Sequence, residues 1–140
     1  AEIGVAAVYV SNHGGRQLDH GLGTLDMLEE IVAIVGGNTA IIIDGGFLRG
    51  TDIIKALALG ADMVGLGRLY CAALAADGAQ GVTRMLELLH DELTASMALL
   101  GVTSVGDLKP AHIAVCPNGR SHPAFPHLDF KDDLGRNIVF

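Results

Sequence analysis

The chain has 140 residues, of which 50% are hydrophobic and 18% charged, a composition that excludes a mostly disordered protein and suits one domain with a core. The net charge of −7 makes nucleic acid an unexpected partner, and no apolar run reaches the roughly 18 residues of a membrane span. Cys71 and Cys116 form no CxxC motif, which favours reduced thiols and an intracellular, cytoplasmic location.

Short apolar runs alternate with helical patterns from the start of the chain. Residues 6–10 predict a buried parallel strand. A helix then follows Thr24, a suitable N-cap, and closes at Gly36 and Gly37. Residues 40–43 predict a second buried strand, which ends at Asp44.

The second half of the chain continues the alternation. A helix is predicted to begin near Thr51 and to end at Gly60, and residues 63–66 predict a third strand. A helix through Tyr70 and Ala76 follows, and then a long amphipathic helix. The core face of this long helix is predicted to consist of Val82, Leu86, Leu89, Leu93, Met97 and Leu100. Residues 107–113 predict a short turn or helix, and we place a domain at 1–115 and an irregular tail at 116–140.

This order of elements predicts an α/β fold with a parallel sheet and right-handed crossovers. The three strands are apolar on both faces, as strands are in a barrel and in a doubly wound sheet. Periodicity alone does not choose between these two architectures.

Three loops follow the strands, at the edge where parallel α/β enzymes place their sites. The second and third loops, 44–52 and 67–68, combine glycines with the start of a helix, and Arg68 adds a fixed cation. Backbone N–H groups, a helix N-terminus and a guanidinium together suit a phosphate. The alternative is that these glycines serve only tight turns.

The first loop carries His13 and Arg16 among glycines that leave room for a ligand. A histidine can accept a proton near neutral pH, and an arginine can hold a carboxylate with two parallel hydrogen bonds. A base beside a carboxylate clamp suits a small 2-hydroxy or 2-keto acid. The alternative for His13 is a purely structural role.

Two segments resemble a known family. Residues 11–19, Ser-Asn-His-Gly-Gly-Arg-Gln-Leu-Asp, resemble the active-site signature of the FMN-dependent 2-hydroxy-acid oxidases and dehydrogenases. Residues 44–68 resemble the FMN phosphate region of the same family. The resemblance implies the C-terminal part of a TIM (β/α)₈ barrel, with the last three βα units and the C-terminal helices. It also implies oxidation of a small L-2-hydroxy acid to the 2-keto acid, with FMN as cofactor, in an enzyme that forms a homo-oligomer when full length.

The resemblance also implies roles for single residues. His13 would be the catalytic base, Arg16 would bind the substrate carboxylate, and Ser11 would touch the flavin. The residues expected to line the phosphate or ribityl region of FMN are Asp44, Gly45, Gly46, Gly67 and Arg68. We add Arg49, because the family often has two consecutive arginines where this chain has Leu48 and Arg49.

The family's flavin-binding lysine, its substrate tyrosines and the aspartate that orients the histidine belong to segments preceding the matched region. A complete barrel of this type needs about 200 to 250 residues. We therefore hypothesise that the chain on its own folds poorly or associates, and that it binds FMN weakly at best.

Two alternative functions are kept. The first is a phosphate-binding barrel enzyme of the inosine-monophosphate dehydrogenase type, although its catalytic cysteine should lie in a loop and Cys71 falls in a predicted helix. The second is a non-catalytic truncated remnant that acts in assembly.

We expect no metal site, including at His122 and His127 in the tail, because no carboxylate or cysteine lies at ligand spacing. The remaining histidines, His20, His90 and His112, are predicted to be surface or capping residues.

Overall fold

The structure is a computed structural model that describes residues 4–35 and 37–114. The strands are β1 (Ala7–Val10), β2 (Ala40–Ile43) and β3 (Met63–Val64). The helices are α1 (Thr24–Val35), α2 (Gly50–Ala58) and α3 (Arg68–Leu100). Single 3₁₀ turns lie at His13–Gly15, Val105–Asp107 and Pro110–His112.

The three strands form one parallel sheet in the order β1-β2-β3. Val10 pairs with Ile43, and Ile43 pairs with Val64. Because all strands run in one direction, their carboxyl ends and the three loops after them meet at one edge of the sheet. The predicted alternation of strands and helices is confirmed.

The main core lies between the sheet and its helices. Val10, Ile41 and Ile43 point to this side of the sheet and meet the fully buried Leu28 of α1 and Ala56 of α2. The apolar spacing along α1 therefore covers the sheet as the sequence predicts. A second cluster joins α2 to α3 and to the chain beyond it, through Ile54, Ala58 and Leu108.

The start of α2 touches the backbone of α3. Gly50 is buried, and a Cβ added to it would lie 2.5 Å from the backbone nitrogen of Leu93 and 2.8 Å from the carbonyl carbon of Glu92. The Gly50 N–H donates a hydrogen bond of 2.8 Å to Glu92 Oε2. Glycine is thus required here by close helix contact.

Several element boundaries differ from the sequence-based expectation. β3 ends at Val64 and not at residue 66. Thr24, predicted as an N-cap, is instead the first residue of α1, and its hydroxyl donates a hydrogen bond to the carbonyl oxygen of Asp44. This bond ties α1 to the end of β2, a tertiary contact that a local pattern does not show.

The two helices predicted after β3 are confirmed. α3 is interrupted at Asp77 and Gly78, whose φ,ψ values of −153°, 38° and 54°, −141° are not helical, so a short helix before the break is followed by a longer one. On its core face Leu86 is 52% exposed, so its predicted burial was wrong, and Met85 is buried in its place.

The tail from residue 116, with Cys116, His122 and His127, lies outside the described residues, as does residue 115. Among the described residues, none of the helices has the length and apolar character that crossing a bilayer requires.

The described residues leave the face of the sheet turned away from the helices largely uncovered. Tyr9 and Met63, which point to this face, are 55% and 51% exposed. β1 and β3 each pair with one neighbour only in the described part of the chain, so their outer backbone groups are available for pairing.

We expect the isolated chain to self-associate, because apolar side chains and strand edges lie together on its surface. Size-exclusion chromatography with light scattering should give a mass above that of one chain, and Met63→Lys should lower that mass. A monomer at all concentrations would contradict this expectation.

Candidate active site

A cleft of about 600 Å³ lies at the carboxyl ends of the strands. It brings together residues from all three loops that the sequence singled out. Seven predicted site residues line it: His13, Arg16, Asp44, Gly45, Gly46, Gly67 and Arg68. Ser11 and Arg49 are not among its lining residues.

The first loop turns sharply just after β1. His13, Gly14 and Gly15 have φ values of 53°, 67° and 73°, so three successive residues adopt left-handed backbone. Glycine adopts this conformation freely, but histidine does so at a cost of about 1–3 kcal/mol. Such strain is typical of functional positions, and here it places the imidazole at the cleft.

Two polar side chains hold this turn in place. Ser11 Oγ accepts the His13 N–H at 3.1 Å, and Asn12 Oδ1 accepts the Gly14 N–H at 3.0 Å. The Asn12 amide also donates to the carbonyl oxygen of Leu22 at 3.3 Å, which links the turn to the segment before α1. Ser11 therefore supports the turn through its side chain, and its predicted contact with a flavin stays a prediction.

The imidazole of His13 has one partner on its own loop. Nδ1 lies 2.5 Å from Oε1 of Gln17. An amide oxygen only accepts hydrogen bonds, so Nδ1 carries the hydrogen in this arrangement. Nε2 is then left with a free lone pair, which is the form of histidine that can take a proton from a ligand.

The carboxylate of Asp44 is held at the end of β2. Tyr9 Oη donates to Asp44 Oδ2 at 3.3 Å. Oδ1 is buried and has no hydrogen-bond partner among the described residues. A buried carboxylate oxygen without a partner is costly, and it suits a hydroxyl donor from a bound molecule.

The third loop presents cationic and backbone groups to the same cleft. Gly67 is the N-cap of α3 and has no side chain to cap the helix. An added Cβ at Gly67 or Gly46 would meet nothing within 4 Å, so both sites leave space beside the backbone. Arg68 reaches back across the cleft, because a Cβ added to Gly14 would lie 3.5 Å from its Nη2. A helix N-terminus and a guanidinium around open space can hold a phosphate.

Arg49 lies apart from these groups. It is the N-cap of α2, and its Nη2 lies 3.5 Å from Glu92 Oε1 with the side chain 71% exposed. Its neighbour Leu48 lines the cleft in its place. The structure therefore brings Leu48, and not Arg49, to the position that faces the cleft.

Several residues in or near the site had no role predicted from the sequence. Asn12 and Gln17 lie inside the recognised signature, but the pattern alone gave them no contacts. Tyr9 was assigned only to a strand. Tyr70 and Cys71 also line the cleft, from the first turns of α3.

Among the other histidines, His112 Nδ1 accepts the Lys109 N–H at 3.0 Å, which confirms a capping role, and His20 and His90 are exposed as predicted.

A protein-family model described as FMN-dependent dehydrogenase matches residues 1–115. The chain belongs to this family. FMN is therefore the cofactor of its family, and the 2-hydroxy-acid oxidase resemblance seen in the sequence is confirmed.

Individual members of the FMN-dependent dehydrogenase family are similar over the same region. Oxidase FUB9 of Gibberella fujikuroi is 50% identical over 114 residues, which are 81% of this chain and 32% of that protein. Peroxisomal (S)-2-hydroxy-acid oxidase GLO4 of Oryza sativa subsp. japonica is 49% identical over 112 residues, 80% of this chain and 31% of that protein. The chain thus spans about a third of the length of the curated relatives it matches.

Solved structures are similar in fold to this chain. Mandelate oxidase with benzoyl-formic acid has a TM-score of 0.75 and 47% identity, over 77% of this chain and 32% of that chain. The three βα units described above therefore have the α/β fold found in a segment of an FMN-dependent oxidase.

Proposed function

We propose that the chain forms the last three βα units of a (β/α)₈ barrel that uses FMN to oxidise a small L-2-hydroxy acid to the 2-keto acid. The observation that carries the proposal is the shared cleft, where His13 and Arg16 face the glycine turns and Arg68. The order β1-β2-β3, the open edges and the uncovered sheet face suit a segment of barrel wall.

The residues of the cleft fit FMN in two ways. The buried, unpartnered Oδ1 of Asp44 suits a ribityl hydroxyl. The open space at Gly46 and Gly67, next to Arg68 and the start of α3, suits the phosphate. Gly45 lies between them, where an added Cβ would collide with the Thr24 hydroxyl oxygen, 2.8 Å away.

Arg16 and His13 fit the substrate. Both side chains are exposed and line the cleft, and both belong to the first loop, which turns at Gly14 and Gly15. A guanidinium can hold the carboxylate of a 2-hydroxy acid, and Nε2 of His13 can then take a proton from the bound acid. FMN, when bound, would accept the two electrons and the second hydrogen that the substrate loses. The proton stays on Nε2 of the imidazole, while the Nδ1–H remains hydrogen-bonded to Gln17 Oε1.

The relatives support this class of substrate. One is named as an (S)-2-hydroxy-acid oxidase, and the mandelate oxidase structure contains benzoyl-formic acid, which is a 2-keto acid. Homo-oligomerisation of the complete enzyme and an intracellular location remain parts of the proposal.

The inosine-monophosphate dehydrogenase alternative is less well supported. Cys71 lines the cleft and is exposed, but it lies inside α3 and not in a loop. The family match favours the hydroxy-acid function.

A chimera tests the proposal. Residues 4–114 replace the matching segment of mandelate oxidase, so that the lysine and remaining strands of that enzyme complete the barrel. We expect a yellow protein with stoichiometric FMN that oxidises a 2-hydroxy acid. A soluble, folded chimera that lacks FMN would contradict the proposed function.

In the chimera, Arg68→Met should weaken FMN binding by about 10- to 100-fold, because a charge-assisted contact of about 1.5–3 kcal/mol is lost. Flavin fluorescence titration measures the change. Arg84→Met is the matched control, since Arg84 is exposed on α3 and pairs with Glu87 at 2.9 Å. Equal affinities in the two variants would place the phosphate elsewhere.

A further inference from the structure

Tyr9 contacts residues that follow the other two strands, and both of these residues line the cleft. It stands on β1, its hydroxyl donates to Asp44 after β2, and the same hydroxyl lies over Gly65 after β3. A Cβ added to Gly65 would overlap the Tyr9 hydroxyl oxygen, and it would lie 3.4 Å from Tyr9 Cζ and 3.2 Å from Asp44 Cβ. Gly65 therefore provides the space that the phenol occupies.

We propose that Tyr9 is a positioning residue that fixes the Asp44 carboxylate for the cofactor, and that it depends on Gly65 to do so. The inference rests on the proposed function, because Asp44 is the group expected to meet a hydroxyl of FMN.

The geometry explains how the positioning works. A carboxylate at the end of a strand can rotate about its side-chain torsions, and a hydrogen bond to one oxygen removes that freedom. Tyr9 holds Oδ2, so Oδ1 is left as the acceptor for a ligand. The Asp44 backbone is held independently of its side chain. Its N–H donates to the carbonyl oxygen of Val10, and its carbonyl oxygen accepts from the Thr24 hydroxyl.

The electrostatics of Tyr9 agree with this contact. Its pKa is raised, first by desolvation, then by the negative charge of Asp44 and by the hydrogen bond to it. A carboxylate beside a phenol disfavours the second negative charge of tyrosinate. The phenol thus keeps its hydrogen and remains a donor across the neutral range.

The first test is a double-mutant cycle on the stability of the 140-residue chain. Gly65→Ala should lower the melting temperature by about 5 °C, because the new methyl overlaps the phenol. Tyr9→Phe removes the overlapping oxygen, so Gly65→Ala should cost much less in that background. Additive losses, measured by circular dichroism at one protein concentration, would overturn the pairing.

The second test reads the Tyr9–Asp44 contact directly. The chain has two tyrosines and no tryptophan, so Tyr70→Phe leaves Tyr9 as the only phenol. Its ionisation is followed by tyrosinate absorbance, with and without Asp44→Asn. We expect Asp44→Asn to lower the midpoint towards the ordinary value, because the carboxylate charge is gone. Coincident midpoints would overturn the proposal. The other ionisable side chains that line the cleft near Asp44, His13, Arg16, Arg68 and Cys71, are the same in both variants.

The third measurement separates this inference from the proposed function. In the mandelate oxidase chimera, Tyr9→Phe should weaken FMN binding about fivefold, as expected for one hydrogen bond of about 1 kcal/mol. Unchanged affinity would overturn the positioning role and leave the proposed function intact. A chimera that holds no FMN even with Tyr9 present would overturn the proposed function, while the absorbance titration would still decide the contact.

Discussion

Replacing His13 with glutamine is expected to lower the turnover number of the mandelate oxidase chimera by about 10²- to 10⁴-fold, the usual contribution of a general base. Glutamine keeps a polar side chain of similar size, but it cannot take a proton. The affinity for FMN should change little, because the role proposed for His13 is to take a proton from the substrate, whereas Asp44 and Arg68 are the groups expected to hold FMN. Steady-state kinetics with a 2-hydroxy acid and a flavin titration measure the two effects.

The matched control is the same substitution at His90. This histidine lies on α3 with its side chain 75% exposed, and its neighbour Asp91 lies 3.8 Å away. His90→Gln should leave turnover unchanged. If His13→Gln retained full turnover, the base would have to be another group, and the proposed roles of the first loop would fail.

Replacing Gly50 with alanine is expected to destabilise the chain by about 2–3 kcal/mol, the upper part of the usual cost of overpacking. The added methyl would lie 2.5 Å from the Leu93 nitrogen, and a backbone atom cannot move aside as a side-chain end can. Separating α2 from α3 would also stretch the Gly50–Glu92 hydrogen bond. Urea unfolding followed by circular dichroism measures the loss.

Gly106→Ala provides the comparison for this prediction. Gly106 lies in the turn Val105–Asp107, and the nearest atom to an added Cβ there is Ser104 Oγ at 3.6 Å, an ordinary contact. Its stability should stay within about 0.5 kcal/mol of the parent chain, as expected for a surface change. Equal losses at the two positions would mean that α2 and α3 do not approach as closely as described.

Most of the fold could be predicted because its signals are local. The short apolar runs of β1 and β2 predict strands of a parallel sheet, and the helical spacing of α1 predicts the side of that helix that packs on the sheet. The errors arise where a tertiary contact overrides a local pattern. The Thr24 hydroxyl donates to the carbonyl oxygen of Asp44 across the fold, and Met85 is buried on α3 where Leu86 was expected.

The site was predictable to the extent that loop position determines it. Residues directly after parallel strands meet at one edge of the sheet, so the sequence alone predicted that His13, Asp44 and Arg68 lie close together. The direction of a side chain could not be predicted. Arg49 lies one residue from Leu48, yet it turns to Glu92 because the start of α2 packs on α3.

Tyr9 shows a second limit of the sequence pattern. A strand residue that points away from the helices looks like any other apolar position. Its role depends on Asp44 and Gly65, which are 35 and 56 residues further along the chain. A large side chain on β1 that reaches across β2 to a glycine just after β3 is a contact that only the strand order of the sheet makes visible.

The strand order has a practical consequence for engineering. Within residues 4–114, each strand pairs with the one before or after it in the chain, and the βα units follow one another in order along the sheet. A second polypeptide could therefore pair with the outer edges of both β1 and β3, joined by main-chain hydrogen bonds and not by a peptide link. Co-expression with a polypeptide carrying the other barrel units would give a split flavoenzyme. The absorbance of its bound flavin would then report assembly of the two polypeptides.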